Sequence, residues 1–81
     1  MGIVIQMYID EHNPPHFHAD YGEYRAEIDI RTLQMITGNL PPRILRKVLL
    51  WASIHQEELL ANWNNLRLQK PTTKIEPLSN K

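Results

Sequence analysis

Three of the four histidines of this chain lie within seven residues, at positions His12, His16 and His18. Imidazole is the side chain best suited to proton transfer near neutral pH, and it is also the commonest metal ligand in proteins. Two adjacent prolines restrict the backbone between the first histidine and the other two. The chain therefore concentrates its most reactive side chains on one stiff segment, residues 12–18.

The two later histidines fall in a segment where polar and apolar side chains alternate, which predicts a β-strand over residues 16–21. A second alternating segment covers residues 24–30, and Gly22-Glu23 between them suits a two-residue turn. The two strands therefore predict an antiparallel hairpin with its polar side chains on one face. The opposed pairs on that face would be Asp20 with Arg25, His18 with Glu27, and His16 with Asp29.

Metal binding is the first chemistry that this arrangement predicts. His16 and His18 would lie about 6.7 Å apart along one strand face, which lets two imidazoles reach one divalent ion, zinc or a similar metal. His16 and Asp20 would be about 13 Å apart, so Asp20 should not share that ion. The candidates for further ligands are His12, Glu27 and Asp29.

A histidine held beside a carboxylate is also typical of general acid–base catalysis. His12, His16 and His18 are candidate catalytic residues for metal-free proton transfer, as phosphodiester cleavage requires. Arg25 or Tyr8 would stabilise developing charge. The structural alternative to both chemistries is simple hydrogen bonding between the strand histidines and the carboxylates opposite them.

The elements that must position these residues are a small sheet and a helix. Residues 3–10 predict another strand, and residues 33–37 predict a short fourth one. Pro41-Pro42 suits the first turn of a helix, and apolar side chains then recur at helical spacing to Lys70. His55 lies in that apolar stripe. Three roles are open for it: a further metal ligand, a second base, or a hydrogen-bonded histidine at the edge of the core.

The predicted fold class is therefore α+β: an antiparallel sheet of three to four strands with one long C-terminal helix packed on its apolar face. The opposite, exposed face would carry the histidine–carboxylate cluster. Residues 1–70 would form a single domain. Residues 71–81 contain two prolines and little pattern, and we expect them to form an extended, mobile tail.

Composition limits the classes of function. The formal net charge is zero, because nine Lys and Arg balance nine Asp and Glu, so nucleic acid is a weakly supported partner. The chain has no cysteine, which excludes disulfides and thiolate ligands. We expect a cytoplasmic protein without a membrane segment or a signal peptide. An 81-residue domain buries a modest core, which favours a homodimer or another partner.

Longer stretches of the chain resemble a known family, the bacterial domain-of-unknown-function family numbered 4160. The resemblance implies a compact α+β unit, and it carries no catalytic residue over to this sequence. It also implies a small gene beside a second small gene, as in toxin–antitoxin pairs, and hence a small protein partner. The likeness extends to residues 74–78 and rests on the run 12–18, Tyr21-Gly22-Glu23-Tyr24, Ile28-Asp29-Ile30, Trp51-Ala52 and the run 55–60.

Three functional hypotheses follow from these observations. The leading one is a component of a toxin–antitoxin-like pair that acts through a protein partner, with His12, His16 and His18 as its functional loop. The second is a metal-dependent or histidine-based hydrolase acting on RNA. The third is a plain binding module in which the histidines are structural.

Overall fold

The computed structural model of the protein describes residues 2–9 and 12–78. The described part forms one antiparallel sheet with strand order β1-β2-β3-β4, followed by two helices. This arrangement confirms the predicted α+β class and the four-stranded sheet. The elements are β1 (Ile3–Gln6), β2 (His16–Tyr21), β3 (Tyr24–Asp29), β4 (Met35–Gly38), α1 (Pro42–Ile54) and α2 (Gln56–Arg67).

The β2–β3 hairpin has the register that its alternating pattern predicts. Tyr21 pairs with Tyr24, and the pairing continues without a shift to His16 and Asp29. Gly22 has a φ of 59° in the turn between the strands, a conformation that glycine adopts at little cost. Since side chains alternate along a strand, one face of the hairpin enters the core and the other carries the polar pairs.

The core lies between the apolar face of the sheet and the two helices. Fully burying a large apolar side chain contributes about 1.5–3 kcal/mol, so a few such residues account for much of the stability of a small domain. The largest fully buried side chains are Phe17, Ile28 and Ile30 from the sheet region and Val48, Leu59 and Trp63 from the helices.

The prediction of one long helix ending at Lys70 was wrong, because the helical region is divided at His55. The break coincides with a tertiary anchor at the first residue of α2. The side-chain amide nitrogen of Gln56 donates hydrogen bonds to the carbonyl oxygens of Ile30 at 2.7 Å and Arg31 at 3.0 Å. The apolar stripe continues through this break, so spacing alone indicates one helix.

Two strand boundaries also differ from the prediction. The first strand ends at Gln6, whereas the predicted strand extended to residue 10, which lies outside the described residues. The fourth strand begins at Met35 rather than Leu33. Leu33 has a φ of 59° and donates its backbone N–H to the carbonyl oxygen of Asp29, so it belongs to the preceding turn.

Residues 70–78 form no helix or strand, but they contact both helices. The indole Nε1 of Trp51 donates to the carbonyl oxygen of Glu76 at 2.9 Å. The buried Asn62 amide donates to the carbonyl oxygen of Thr73 at 2.8 Å and accepts from its backbone N–H at 2.9 Å. The boundary at residue 70 and the mobility of the tail stay predictions, and residues 79–81 lie outside the described part.

Within residues 2–9 and 12–78, neither helix has the length and apolar character required to cross a membrane. The cytoplasmic location stays a prediction.

Candidate functional site

The hairpin brings three potential metal ligands together, one from each of His16, His18 and Glu27. We call these three residues the ligand triad. Their ligand atoms all lie within 4.8 Å of one another. Around an ion at about 2.1 Å from each ligand, tetrahedral ligand atoms are about 3.4 Å apart. Side-chain rotations that shorten these separations by up to about 1.4 Å would therefore bring the three atoms to tetrahedral ligand spacing.

The ring of His16 is oriented by the proline segment before β2. Its Nδ1 lies 2.7 Å from the carbonyl oxygen of Pro14, and a carbonyl only accepts, so Nδ1 is the donor. Its Nε2 lies 3.2 Å from the Oε1 of Glu27. Metal-binding histidines commonly donate their second ring N–H to a carbonyl in this way. The orientation of His16 therefore suits coordination through Nε2.

Both strand histidines are buried, His16 with 5% and His18 with 8% of its surface exposed. The prediction of a cluster on an exposed face was therefore wrong. Aromatic rings cover the two imidazoles, with Tyr8 at 4.8 Å from His18 and Trp63 at 5.1 Å from His16 between ring centroids. This cover limits solvent access to the two imidazoles, and limited access strengthens their electrostatic interactions.

A cleft of about 550 Å³ opens beside the triad. Two triad members, His18 and Glu27, line it, so a group bound in the cleft would reach the triad directly. Thr37 lies opposite Glu27 in the β3–β4 pairing, and the register shifts at the next residue of β3. The full lining is Tyr8, His18, Arg25, Ala26, Glu27, Thr37 and Gly38.

Arg25 lies at the wall of this cleft and is held there by two neighbours. Its Nε is 3.2 Å from the Oδ1 of Asp20, and one of its terminal nitrogens donates to the Tyr8 hydroxyl. The Tyr8 hydroxyl in turn donates to the Oε1 of Gln6 at 2.7 Å. The Arg25 side chain remains 51% exposed. The guanidinium is therefore positioned and still accessible.

The other candidate residues lie outside the ligand triad. His12 is exposed. The Oδ1 of Asp29 accepts the backbone N–H groups of Arg31 and Thr32 at 2.8 and 3.0 Å, so this carboxylate caps the turn after β3. His55 lies at the helix junction, where its Nδ1 is 2.6 Å from the Oε1 of Glu58. Metal binding itself stays a prediction for all of them.

Residues 2–64 match the family model described as Domain of unknown function (DUF4160). The chain belongs to this family. The match spans the whole sheet, α1 and most of α2, and it therefore includes the ligand triad and the cleft. Comparisons with curated proteins and with solved structures found no match. The functional conclusion for this DUF4160 protein therefore rests on the geometry of its site.

Sequence reasoning missed the parts of the site that come from outside the hairpin. Trp63 carries no chemical signal at its position in the helical pattern, although its ring lies against His16. Thr37 and Gly38 carried no chemical signal, and they line the cleft only because β4 pairs with β3. The one available signal was the glycine at the end of a predicted strand, since Gly38 has a φ of 90°.

Proposed function

We propose that His16, His18 and Glu27 bind one divalent ion, zinc or a similar metal, and that this ion serves a hydrolytic site that opens on the cleft. The orientation of His16 carries the proposal. Because Nδ1 donates to Pro14, Nε2 is the ring nitrogen directed at the Glu27 carboxylate, 3.2 Å away. A cation bound beside this pair would have both the nitrogen and the carboxylate oxygen within reach as ligands.

The donor set supports a catalytic rather than a structural metal. Two imidazoles and one carboxylate are a known zinc ligand set, and catalytic zinc sites keep a fourth position for water or substrate. A bound ion would supply Lewis acidity and would lower the pKa of a coordinated water to about 7. His18 and Glu27 line the cleft and would hold the ion there, and Arg25 with the Tyr8 hydroxyl would stabilise negative charge on a substrate.

We expect untagged protein to bind one zinc ion per chain in a calorimetric titration. Manganese should bind more weakly than nickel, because affinities of nitrogen and oxygen sites generally rise from manganese towards nickel. His12→Ala is the matched control, since His12 lies outside the triad, and it should bind as the wild type does. If wild-type protein binds no ion, the proposal fails, and a metal-free histidine–carboxylate couple becomes the better account.

A role in a toxin–antitoxin-like pair, with a small protein partner or a second copy of the chain, is our second proposal. The exposed apolar surface supports it. Leu50 and Ile54 are 66% and 69% exposed on successive turns of α1, and Ile36 on the edge strand β4 is 46% exposed. Exposed apolar residues that recur on one helix face suit a protein–protein contact.

The pair hypothesis predicts a growth phenotype in a bacterial host. One of the two genes, this chain or its neighbour, should slow growth when expressed alone, and co-expression of the other should restore it. Leu50→Glu with Ile54→Glu should abolish the restoration, because two charges would enter an apolar contact. Asn64→Glu, at an exposed position of α2, is the control. Normal growth with either gene alone would contradict this role.

A further inference from the structure

We infer that the cleft beside the ligand triad binds a phosphate ester, with Arg25 as the residue that recognises the phosphate. The inference rests on the proposed metal site and adds its substrate class. The cleft volume of about 550 Å³ lies within the range of small-molecule sites, about 300–1,000 Å³. One wall carries two triad members, and Arg25 and Thr37 provide polar groups at the same cleft.

The guanidinium of Arg25 keeps donors for a ligand. Among residues 2–9 and 12–78, its polar contacts are with Asp20 through Nε and with Tyr8 through one terminal nitrogen. A guanidinium has five N–H donors in a fixed plane, so several remain for a bidentate contact with phosphate oxygens. Asp20 and Tyr8 hold the side chain in place, which lowers the entropy lost when a ligand binds.

Tyr8 connects this arginine to the metal site. Its ring centroid is 5.5 Å from the Arg25 guanidinium carbon and 4.8 Å from the His18 ring centroid. Tyr8 therefore contacts both the guanidinium and one triad member, and all three side chains line the same cleft. A phosphate bound there would place one oxygen towards the ion and two others towards the guanidinium.

The charge of the site also favours an anion. Glu27 and Asp20 contribute two negative charges, which a divalent ion balances, and Arg25 then leaves an excess positive charge at the cleft. A neutral amide or sugar would make no use of that charge. Phosphate monoesters and phosphodiesters share the chemistry that is recognised here.

The test is cobalt-loaded protein with inorganic phosphate as the probe, observed by ³¹P NMR. Paramagnetic cobalt in the triad should broaden the phosphate signal of the wild type. Arg25→Gln should weaken phosphate binding at least about tenfold, and Arg25→Lys should lose less because it keeps the charge without the planar fork. Arg31→Gln is the matched control at another exposed arginine and should bind phosphate as the wild type does. All variants should hold one cobalt per chain.

The outcomes separate the inference from the metal proposal. Cobalt bound without phosphate broadening, or equal binding by Arg25→Gln and Arg31→Gln, overturns the inference and leaves the metal site standing. Absence of cobalt binding overturns both. A nucleoside 5′-monophosphate and an RNA dinucleotide then serve as competitors, and displacement by either one supports the inference and identifies the ester. If neither displaces phosphate, the probe is an adventitious ion only and the inference fails.

Discussion

Replacing Glu27 by glutamine is expected to weaken zinc binding by at least about 100-fold. Loss of a residue that only supports a ligand typically costs 10–100-fold in affinity, and a direct ligand should cost more. The amide keeps the size of the side chain but removes the negative charge 3.2 Å from the Nε2 of His16. His18→Ala should have a similar effect, because it removes one of the two imidazoles. Competition with a chromophoric chelator measures both affinities.

The same variants give a second readout in thermal unfolding. Zinc at 100 times its Kd should stabilise the wild type by about 2.7 kcal/mol, and it should leave Glu27→Gln nearly unchanged. His12→Ala controls for the loss of any surface histidine and should respond to zinc as the wild type does. If Glu27→Gln is folded and binds zinc as tightly as His12→Ala, the triad does not hold the metal.

Replacing Gly38 by alanine should destabilise the protein by about 3–5 kcal/mol, near the upper end for single substitutions. Gly38 has a φ of 90°, and an added Cβ would lie 2.2 Å from the backbone oxygen of Arg25 and 2.8 Å from the Cα of Ala26. Both atoms belong to the β3 backbone, so relief of the clash must move β4 away from β3. Denaturant unfolding measures the loss, and weakened phosphate binding should accompany it because Gly38 lines the cleft.

Gly22→Ala is the matched control for this substitution. Gly22 also has a positive φ, 59°, in the exposed β2–β3 turn. Alanine there should cost about 1–2 kcal/mol through the left-handed conformation alone. The difference between the two variants isolates the backbone clash. Equal losses would show that β4 can separate from β3 at little cost.

The hairpin register was predictable because two independent patterns agree. Alternation places the apolar side chains of both strands on one face, and a two-residue turn at Gly22 fixes which residues oppose one another. A shift by one residue would move both strand histidines to the core face. Local pattern therefore determined this part of the fold and brought His18 opposite Glu27.

The helix break and the burial of the histidines depend on residues distant in sequence. The start of α2 is fixed by hydrogen bonds from the Gln56 side chain to the turn after β3, and the ring that covers His16 comes from Trp63. Neither contact produces a periodic pattern in the amino-acid sequence. A polar strand face normally predicts exposure, and that rule failed for His16 and His18 because aromatic side chains cover their rings.

The choice among candidate ligands was likewise beyond the sequence. Five residues of the hairpin and the segment 12–18 were compatible with metal binding, and strand spacing alone could exclude only Asp20. Side-chain geometry distinguishes the five, because Asp29 caps a turn through its carboxylate while Glu27 faces His16. Direct opposition on the strands would have paired His16 with Asp29. The observed contact is diagonal, which the length of the glutamate side chain allows.

The most direct test of the metal site is a ¹⁵N NMR spectrum of the four imidazoles, recorded before and after one equivalent of zinc. We predict that the ¹⁵N signals of His16 Nε2 and of one His18 ring nitrogen move to metal-bound values. Nδ1 of His16 should keep its proton, which it donates to the carbonyl oxygen of Pro14. The signals of His12 and His55 should be the same with and without zinc. Unchanged spectra for His16 and His18, or equal shifts of all four histidines, would contradict the central claim.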